Sequence, residues 1–474
     1  RTFSSAASDV YKRQEEKISI KDLDTNTTVL NYLRNNHELT GTKEGCASGD
    51  CGACTAVVGE LKENKISYKS INTCITFLYS LHGKQLITVE HIQKNKLHPV
   101  QQSMIDSDGS QCGFCTPGII MSMYNMYENK IKPTEENIDK FLSGNLCRCT
   151  GYLPIKNAIK NMYSYKSNKF SKSKVIRLLK SIKKTDTVIK KNGSKFFIHY
   201  NLNSLIKDYQ KISNGHLLVG GTDLALEVTK KRKDLKNIFY LGSNNDLNYV
   251  KNKNNNLHIG SATPINDILP ILENIYPTFA KMFERYGSEQ IRNTASLGGN
   301  IGSASPIGDS LPVLIALNSK IVIQGKVKKT LLLDNYFLSY RKTKLKPNEI
   351  IKEIIIPIYK KNILKCYKIS KRIDDDISSV FMAINARIEK NIIKEIKIVC
   401  GGLAETPKIA EKAQKFLLNK IFNEENINEA KKIIKKEFDP IDDMRASKNY
   451  RTKISQNLLE RFLYENNKIK STLY

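Results

Sequence analysis

The pattern of apolar and polar residues over positions 17–92 indicates a small sheet packed on one helix. KISI and KQLITVEHI predict strands, and TTVLNYLR between them predicts a helix. A further strand is expected at SDVYKRQEE, but this segment lacks alternating apolar positions. We therefore expect residues 17–92 to form the first domain and residues 1–16 to be a truncated or foreign start.

A helical domain is predicted for residues 93–165. Thr116 is followed by a proline at a first helical position, and isoleucine and methionine residues then form an apolar stripe. Thr134, followed by two glutamates, opens a further helix that ends near Gly144, and Pro154 starts another. We interpret the apolar stripe as hydrophobic core and nothing more.

The rest of the chain predicts a linker and two domains. Residues 166–188 are rich in lysine and serine, which favours a linker. The domain over 189–360 contains two glycine-rich loops, one after the apolar run of HLLVGGTDLALE and one in TASLGGNIGSASPIGDSLP. The second loop has few side chains for a core, so we expect a bound polar ligand to order it. Residues 361–474 form the last predicted domain.

Composition and charge narrow the function classes. The chain has 474 residues and a formal charge of +29, which corresponds to about three or four domains. Its lysines are scattered among asparagine and isoleucine without aromatic interleaving, which favours a basic solvated surface over a nucleic-acid site. No run approaches the roughly 18 apolar residues of a membrane span. We expect a cytoplasmic protein that binds neither nucleic acid nor membrane, and no side chain stands out as a catalytic base or nucleophile.

Ten cysteines are present, and eight lie in the first third of the chain. A long chain without a secretory signal disfavours a disulfide framework, so clustered thiols indicate metal. The first set has the C-x4-C-x2-C spacing of plant-type 2Fe-2S clusters, and its glycines allow positive φ and amides aimed at sulfur. Zinc is the rival metal for this set. Its members are Cys46, Cys51, Cys54 and Cys74.

The second set joins a C-x2-C pair in QCGFCTPG to a C-x-C pair in GNLCRCTGYLP. Both pairs fall at predicted helix ends, where positive partial charge stabilises thiolates. The C-x-C pair is awkward for tetrahedral zinc, although the sequence alone leaves zinc open. The members of this set are Cys112, Cys115, Cys147 and Cys149.

The segments LTGTKEGCASGDCGACTAVVGE, QCGFCTPGIIMS and GNLCRCTGYLPI resemble the iron-sulfur portion of the molybdenum hydroxylases, especially that of xanthine dehydrogenase small subunits. The resemblance covers nearly the whole chain after residue 16 and implies a 2Fe-2S cluster on each cysteine set. It implies a multidomain α+β protein. The implied domains are a β-grasp ferredoxin domain, a helical-bundle 2Fe-2S domain, a two-part α+β FAD-binding domain of the vanillyl-alcohol-oxidase/PCMH type, and a C-terminal α+β domain like that of CO dehydrogenase flavoproteins.

The same resemblance implies that both glycine-rich loops hold FAD, although a plain glycine turn would be the simpler interpretation of the first loop alone. Tyr286 stands where the family often places an aromatic residue against the flavin, and an ordinary half-buried tyrosine is the alternative. Lys368 would reach the flavin, and Asp309 would fix its polar groups. Leu218 is a further implied flavin-binding residue. The implied pyrophosphate-side residues are Val219, Gly220, Gly221, Thr222, Asp223, Ser296, Gly299 and Asn300.

The resemblance implies electron transfer from a molybdenum-pterin cofactor through two clusters to FAD and then NAD, in hypoxanthine or xanthine oxidation. Since 474 residues leave no space for the molybdenum region, we expect a large partner subunit and a dimer of heterodimers. Asp374, Asp375 and Asp376 either repel the extra phosphate of NADP or form a solvated acidic turn. Two alternatives stay open, namely another molybdenum hydroxylase acting on an aldehyde or N-heterocycle, and a zinc-bearing basic binding module.

Overall fold

The computed structural model describes residues 8–12, 16–93, 96–166 and 172–467. The chain divides into two units, one made of residues 1–246 and 287–295 and the other of residues 247–286 and 296–474. Within the described residues, no helix combines the length and the apolarity needed to cross a bilayer.

The first sheet has the strand order β2-β1-β5-β3-β4. Strand β1 is antiparallel to β2 and parallel to β5, which is a β-grasp arrangement. The strand expected at SDVYKRQEE is present as β1 over Ser8–Lys12, although the segment lacks alternating apolar positions, and residues 13–15 lie outside the described residues. Backbone pairing to β2 defines β1, and such pairing needs no alternation of side chains. The elements are β1 (Ser8–Lys12), β2 (Glu16–Ile20), α1 (Val29–Asn31), β3 (Thr55–Lys62), β4 (Lys65–Asn72) and β5 (Gln85–Ile87).

The predicted helix is short and continues as a π-helical turn over Tyr32–Asn36. Val29 and Leu33 on this segment are fully buried and pack in one core with residues of the sheet that follows the linker. The rings of Tyr79 and Phe196 lie 5.7 Å apart across this shared core. The first sheet and the sheet that follows the linker are therefore joined by apolar packing.

Helices dominate the second domain, as predicted. Cys115 caps α3 and Thr134 caps α4, whose Asn137 amide donates to Thr134 Oγ1 at 3.3 Å. The predicted apolar stripe is core, with Ile119 and Met126 fully buried. The helices are α2 (Pro99–Asp106), α3 (Thr116–Glu128), α4 (Glu135–Leu142) and α5 (Leu153–Asn161).

The predicted linker is not wholly irregular, because α6 (Lys172–Ser181) lies inside it. Val175 and Leu179 are four positions apart, which places both on one helix face. Both are buried, and with Ile182 they pack against Leu61 and Ile66 of the first sheet. The high lysine and serine content of this segment hides a short amphipathic helix.

A four-stranded sheet with the order β6-β7-β9-β8 completes the first unit, together with a helix at 289–292. Strand β7 is antiparallel to β6 and parallel to β9, which is parallel to β8. The predicted strand in HLLVGG is β8. The elements are β6 (Thr187–Lys191), β7 (Ser194–Ile198), α7 (Leu202–Tyr209), β8 (Gly215–Leu218), α8 (Ala225–Thr229) and β9 (Asn237–Tyr240).

The second unit begins with an antiparallel sheet of order β10-β11-β16-β12-β13 and a separate β14–β15 hairpin. Helix α11 belongs to the first unit. The elements in chain order are β10 (Val250–Lys253), β11 (Asn256–Gly260), α9 (Ile265–Ile275), α10 (Pro277–Glu284), α11 (Glu289–Arg292), α12 (Leu297–Ser303), α13 (Ser310–Ala316), β12 (Lys320–Gln324), β13 (Lys328–Leu332), β14 (Phe337–Ser339), β15 (Lys342–Thr343) and β16 (Ile350–Pro357).

A four-stranded antiparallel sheet, β17 to β20 in order, ends the described chain and packs against helices. Met382 and Ile384 alternate along β18 and meet Phe462 of the last helix in one core. The predicted multidomain α+β class is confirmed. These elements are β17 (Ile363–Ile369), β18 (Val380–Glu389), β19 (Ile392–Gly401), β20 (Lys408–Ile409), α14 (Glu411–Leu417), α15 (Glu424–Glu437) and α16 (Lys448–Asn466).

Candidate functional site

The first cysteine set surrounds the loop that precedes β3. Cys54 and Cys74 are buried, and their sulfurs lie 3.3 Å apart. Cys46 Sγ accepts the backbone N–H groups of Ser48 at 3.4 Å, Asp50 at 3.2 Å and Cys51 at 3.4 Å. The amide donors predicted from the glycine-rich spacing therefore do converge on one sulfur.

Hydrogen bonds among the thiols separate their pKa values. Those from Cys51 and Cys74 hold the pKa of the Cys46 thiol well below its usual range, despite burial. The same bond to Cys46 raises the pKa of Cys51. A bond from Cys74 likewise lowers the pKa of Cys54. The loop thus favours thiolate at two of its sulfurs, and the thiolate is the form that binds metal.

Glycine is required in this loop for two different reasons. A Cβ on Gly45 would lie 2.7 Å from Cys51 Sγ, so a side chain there would occupy the space beside the thiols. Gly49 and Gly52 have φ values of +84° and +69°, where other residues are strained. The prediction of positive φ is wrong for Gly45, which is not among the glycines with positive φ.

In the second cysteine set Cys115 lies at a helix end, as predicted, whereas the other three cysteines lie in the turns before α3 and between α4 and α5. Cys115 caps α3, and Cys147 lies ahead of α5, where its Sγ is 3.2 Å from Thr150 Oγ1. Burial and the neighbouring Cys147 raise the pKa of Cys115 to about 12. The pKa of Cys112 is lowered by the backbone amide of Phe114 and by Cys149. The four thiols of this set are therefore neighbours.

A direct backbone hydrogen bond joins the two cysteine loops. The Leu146 amide donates to the Cys51 carbonyl at 3.0 Å. Leu146 precedes Cys147, so only a few bonds separate a ligand of one set from a ligand of the other. Tyr152 steadies the same loop, since its hydroxyl accepts the Cys147 amide at 2.8 Å and donates to the Asn145 carbonyl at 3.3 Å.

Both sets fit iron-sulfur clusters by their chemistry. Each offers four sulfur donors, three on one loop and one after β4 in the first set and two pairs on separate loops in the second, and the first set adds three amides to one sulfur. In the part of the chain that the structure describes, no group of three or more His, Cys, Asp or Glu side chains is arranged to hold a single metal ion. The fit therefore rests on the grouping of the thiols and on the amides and glycines around them.

The first predicted flavin loop follows β8, which ends at Leu218. A Cβ on Gly220 would collide with the Thr294 carbonyl, and one on Gly221 would lie 2.6 Å from the Ile75 carbonyl. Gly221 also has a φ of +73°. This loop, over 218–223, therefore packs by its backbone against the residue that follows Cys74.

The second predicted flavin loop lies in the other unit. Ser296 caps α12, where its Oγ accepts the Gly299 amide at 3.1 Å. Asn300 Oδ1 accepts the Ser310 hydroxyl at 2.5 Å. A Cβ on Gly298 would lie 2.5 Å from the Ser261 carbonyl. These contacts order the small residues of the loop locally.

Asp309 and Lys368 form a buried ion pair. Lys368 Nζ lies 2.7 Å from Asp309 Oδ2, and the two side chains are 2% and 6% exposed. Lys368 also donates to the Arg285 carbonyl at 2.8 Å, and Ser378 Oγ donates to Asp309 Oδ1 at 2.5 Å. Tyr286 is half-buried, with its ring edge-on to Phe283 at 5.7 Å.

Several residues around these sites were not found from the sequence. Ser378 completes the carboxylate contacts of Asp309. Thr229 Oγ1 donates to the Ala47 carbonyl at 2.8 Å, and Lys230 Nζ donates to the Cys46 carbonyl. Gln290 lies among residues that flank both cysteine sets. None of these carries a spacing signal, because their partners are distant in sequence.

Four family models match the chain. They are the 2Fe-2S iron-sulfur cluster binding domain over residues 12–79, the [2Fe-2S] binding domain over 88–160, the FAD binding domain in molybdopterin dehydrogenase over 193–359, and the CO dehydrogenase flavoprotein C-terminal domain over 365–466.

Curated relatives are similar over most of this chain. Xanthine dehydrogenase of Emericella nidulans is 32% identical, with 86% of this chain and 35% of the relative covered. Xanthine dehydrogenase/oxidase of Mus musculus is 31% identical with the same coverage. The chain thus spans about a third of the length of these relatives.

Solved structures share the fold of part of the chain. A carbon monoxide dehydrogenase chain from Hydrogenophaga pseudoflava matches with a TM-score of 0.54 and 23% identity, and 56% of this chain and 94% of that chain are covered. Quinoline 2-oxidoreductase from Pseudomonas putida 86 matches with a TM-score of 0.53 and 17% identity, with the same coverage. At these identities the likeness is one of fold.

Proposed function

Because the chain belongs to the molybdenum hydroxylase family and carries its iron-sulfur and FAD-binding domains, we propose that it passes electrons from a molybdenum-pterin centre on a partner subunit to NAD during xanthine or hypoxanthine oxidation. When bound, the two 2Fe-2S clusters would carry single electrons and FAD would collect them in pairs for hydride transfer.

The observation that carries the proposal is the sequence of contacts within the first unit. The loop of the second cysteine set touches that of the first through the Leu146–Cys51 backbone bond. The residue after Cys74 then meets Gly221 of the first flavin loop. Three loops predicted to hold cofactors are therefore consecutive neighbours, which an electron-transfer chain requires.

The exposure of the cysteines supports a direction of electron transfer along these three loops. Cys112 and Cys149 are exposed, whereas Cys54 and Cys74 are buried. Large apolar side chains are exposed near the second set, namely Phe114 at 47%, Leu146 at 44% and Leu153 at 66%. Exposed apolar side chains around a functional site are typical of a docking surface for another protein. We propose that the molybdenum-binding partner docks here and that electrons reach the second set first.

The acidic turn after β17 supports a preference for NAD. Asp376 is engaged within its own turn, since it accepts the amides of Arg372 and Ile377, each at 2.9 Å. These bonds leave the negative charge of Asp376 in place, so any repulsion of the extra phosphate of NADP would come from the carboxylates of the whole turn. Equal steady-state rates of NADH and NADPH formation would contradict this preference.

A second candidate is another molybdenum hydroxylase. The fold is shared with carbon monoxide dehydrogenase and quinoline 2-oxidoreductase chains, and the substrate would be set by the partner. Adding xanthine, an aldehyde and an N-heterocycle separately to the intact complex distinguishes the candidates. Flavin bleaching by the aldehyde or heterocycle, without bleaching by xanthine, would favour this second candidate.

The cofactor proposal is tested by metal and flavin analysis of the full chain prepared without oxygen. We expect about four irons, no stoichiometric zinc and about one FAD per chain. Cys74→Ala and Cys149→Ala should each retain about half of the iron, while Cys400→Ala, a buried thiol outside both sets, should retain all of it. Zinc in place of iron, or full iron in both site variants, would refute the assignment.

A further inference from the structure

A buried polar network lies between the two cysteine sets. It consists of Thr55, which follows Cys54, Ser122 in α3, Asn145 and Gln290. Each of the four is 2% exposed or less. Buried polar side chains are costly unless their hydrogen bonds are made, so the bonds of this network define its arrangement.

Gln290 is the donor at the centre of the network. Its Nε2 lies 3.1 Å from Thr55 Oγ1, 3.1 Å from Asn145 Oδ1 and 3.3 Å from Ser122 Oγ. The amide has two hydrogens, so the three acceptors share them. One side chain thereby contacts the loop of the first set, the helix that follows Cys115 and the segment that leads to Cys147.

The other members complete the connection to the first cysteine loop. Ser122 Oγ donates to Asn145 Oδ1 at 2.6 Å. Asn145 Nδ2 donates to the Gly52 carbonyl at 3.2 Å, which also accepts Thr55 Oγ1 at 2.7 Å. Gly52 lies between Cys51 and Cys54, so the network ends on the backbone that carries two sulfur ligands.

Glycines bring the surrounding backbones close together. A Cβ on Gly52 would collide with the Gly144 carbonyl, and one on Gly118 would collide with the Gly52 carbonyl. A Cβ on Gly144 would collide with Ser288 and Gln290. There is no space for side chains between these segments, so a small shift of any one of them must move the others.

We propose that Gln290 is a positioning residue that fixes the distance and orientation of the two cysteine sets relative to each other. This inference rests on the proposed function, since it concerns two clusters. Apolar side chains could fill the same space, but directional hydrogen bonds specify one arrangement among several of similar packing. A purely structural role would affect stability alone, whereas positioning also affects the magnetic interaction between reduced clusters.

The test uses Gln290→Met in the full chain, which keeps the length of the side chain but removes its donor. The iron content and the low-temperature electron paramagnetic resonance spectrum of the fully reduced protein are measured. In the unaltered protein we expect the two centres to split each other's signals. In Gln290→Met we expect full iron content but a smeared splitting, that is, one broadened over a range of values, because the two cysteine sets no longer keep a single distance and orientation.

Gln102→Met is the matched control. Gln102 lies in α2 of the helical domain, in the same unit as Gln290, and donates to Asp106 at 2.8 Å, away from the network. We expect this variant to keep the original splitting. An unchanged splitting in Gln290→Met with full iron would overturn the inference.

If Gln290→Met loses its iron, a second variant provides the test. Ser122→Ala deletes one oxygen and two bonds of the network. A smeared splitting in Ser122→Ala supports the positioning role, and an unchanged one overturns it. If the unaltered protein binds no iron, the proposed function fails, which is distinguishable from failure of this inference.

Discussion

Replacing Lys368 by methionine tests whether its ion pair with Asp309 is a buried electrostatic contact. The two charged atoms lie 2.7 Å apart, and the side chains are 2% and 6% exposed. In Lys368→Met the Asp309 carboxylate would keep the Ser378 hydroxyl at 2.5 Å but lose its cation. An uncompensated buried charge is the dominant consequence of this change.

The expected loss of stability follows from the distance between the two charged atoms and from the burial of both side chains. At 2.7 Å and an effective dielectric constant of 20, the attraction is about 6 kcal/mol. Desolvation of the two ions offsets much of this, and removal of one partner of a buried pair typically costs about 3–5 kcal/mol. We therefore expect Lys368→Met to lower the free energy of unfolding by about 4 kcal/mol.

A double variant separates the effect of an unpaired buried charge on stability from the effect of the altered side-chain shape. Asp309→Asn combined with Lys368→Met removes both charges while leaving an oxygen for Ser378. We expect its stability to lie within about 2 kcal/mol of the unaltered protein. If both residues contact flavin as proposed, FAD affinity should fall by about tenfold or more in the single and the double variant alike.

The assay is urea unfolding of the FAD-free full chain, followed by circular dichroism because the chain has no tryptophan. FAD affinity is measured by flavin fluorescence. Lys365→Met on the same strand is the control. Its partner Glu465 is 2.8 Å away and keeps Arg461 at 2.6 Å, so the expected loss is below about 1 kcal/mol. Equal losses for Lys365→Met and Lys368→Met would refute the reasoning, and unchanged FAD affinity would refute the flavin assignment.

Three further predictions concern the first unit. Gly221→Ala should lower FAD content while iron is retained, because the φ of +73° and the Ile75 carbonyl at 2.6 Å oppose a side chain. Lys230→Met should lower the reduction potential of the first cluster in a redox titration, since it removes the cation bound to the Cys46 carbonyl. Burial lowers the pKa of His98 to about 4. The free energy of unfolding should therefore fall by up to about 3 kcal/mol as the pH falls from 6.5 to 4, because the unfolded chain takes up the proton first.

Each of these has a control and a contrary outcome. Gly193→Ala, which shares a positive φ of +75° but lies in the β6–β7 turn outside both glycine-rich loops with nothing within 4 Å of a Cβ, should keep its FAD, and equal FAD loss would contradict the first prediction. Lys231→Met, whose partner is Glu227 at 2.6 Å, should leave the potential unchanged, as a charge effect specific to Lys230 requires. For His98, urea midpoints that fall equally with pH in the unaltered protein and in His98→Gln would rule out this histidine as the cause.

Local patterns predicted the cysteine sets and the elements that carry them. Spacing, a proline after Thr116 and a capping threonine at Thr134 are signals that operate within a few residues, and the structure has helices beginning at both places. Helix α6 was missed, and strand β1 shows no alternating apolar pattern, because the order of both elements comes from tertiary partners. Backbone pairing defines β1, and packing of Val175 on Leu61 holds α6 despite its lysines.

The contacts between sites could not be predicted, because they join residues far apart in the sequence. Gln290 and Thr55 are separated by 235 positions, and neither belongs to a motif. The glycine-rich spacing of the first cysteine loop was visible in the sequence, but these glycines are needed for contacts with distant segments as well as for the local backbone conformation. The glycines of the first set were expected to allow positive φ within their own loop. Gly52 does so with a φ of +69°, and its missing Cβ also admits Gly144 of the next domain. One glycine therefore meets a local and a long-range constraint together, and the long-range one brings the two cysteine loops close enough for the Leu146–Cys51 hydrogen bond.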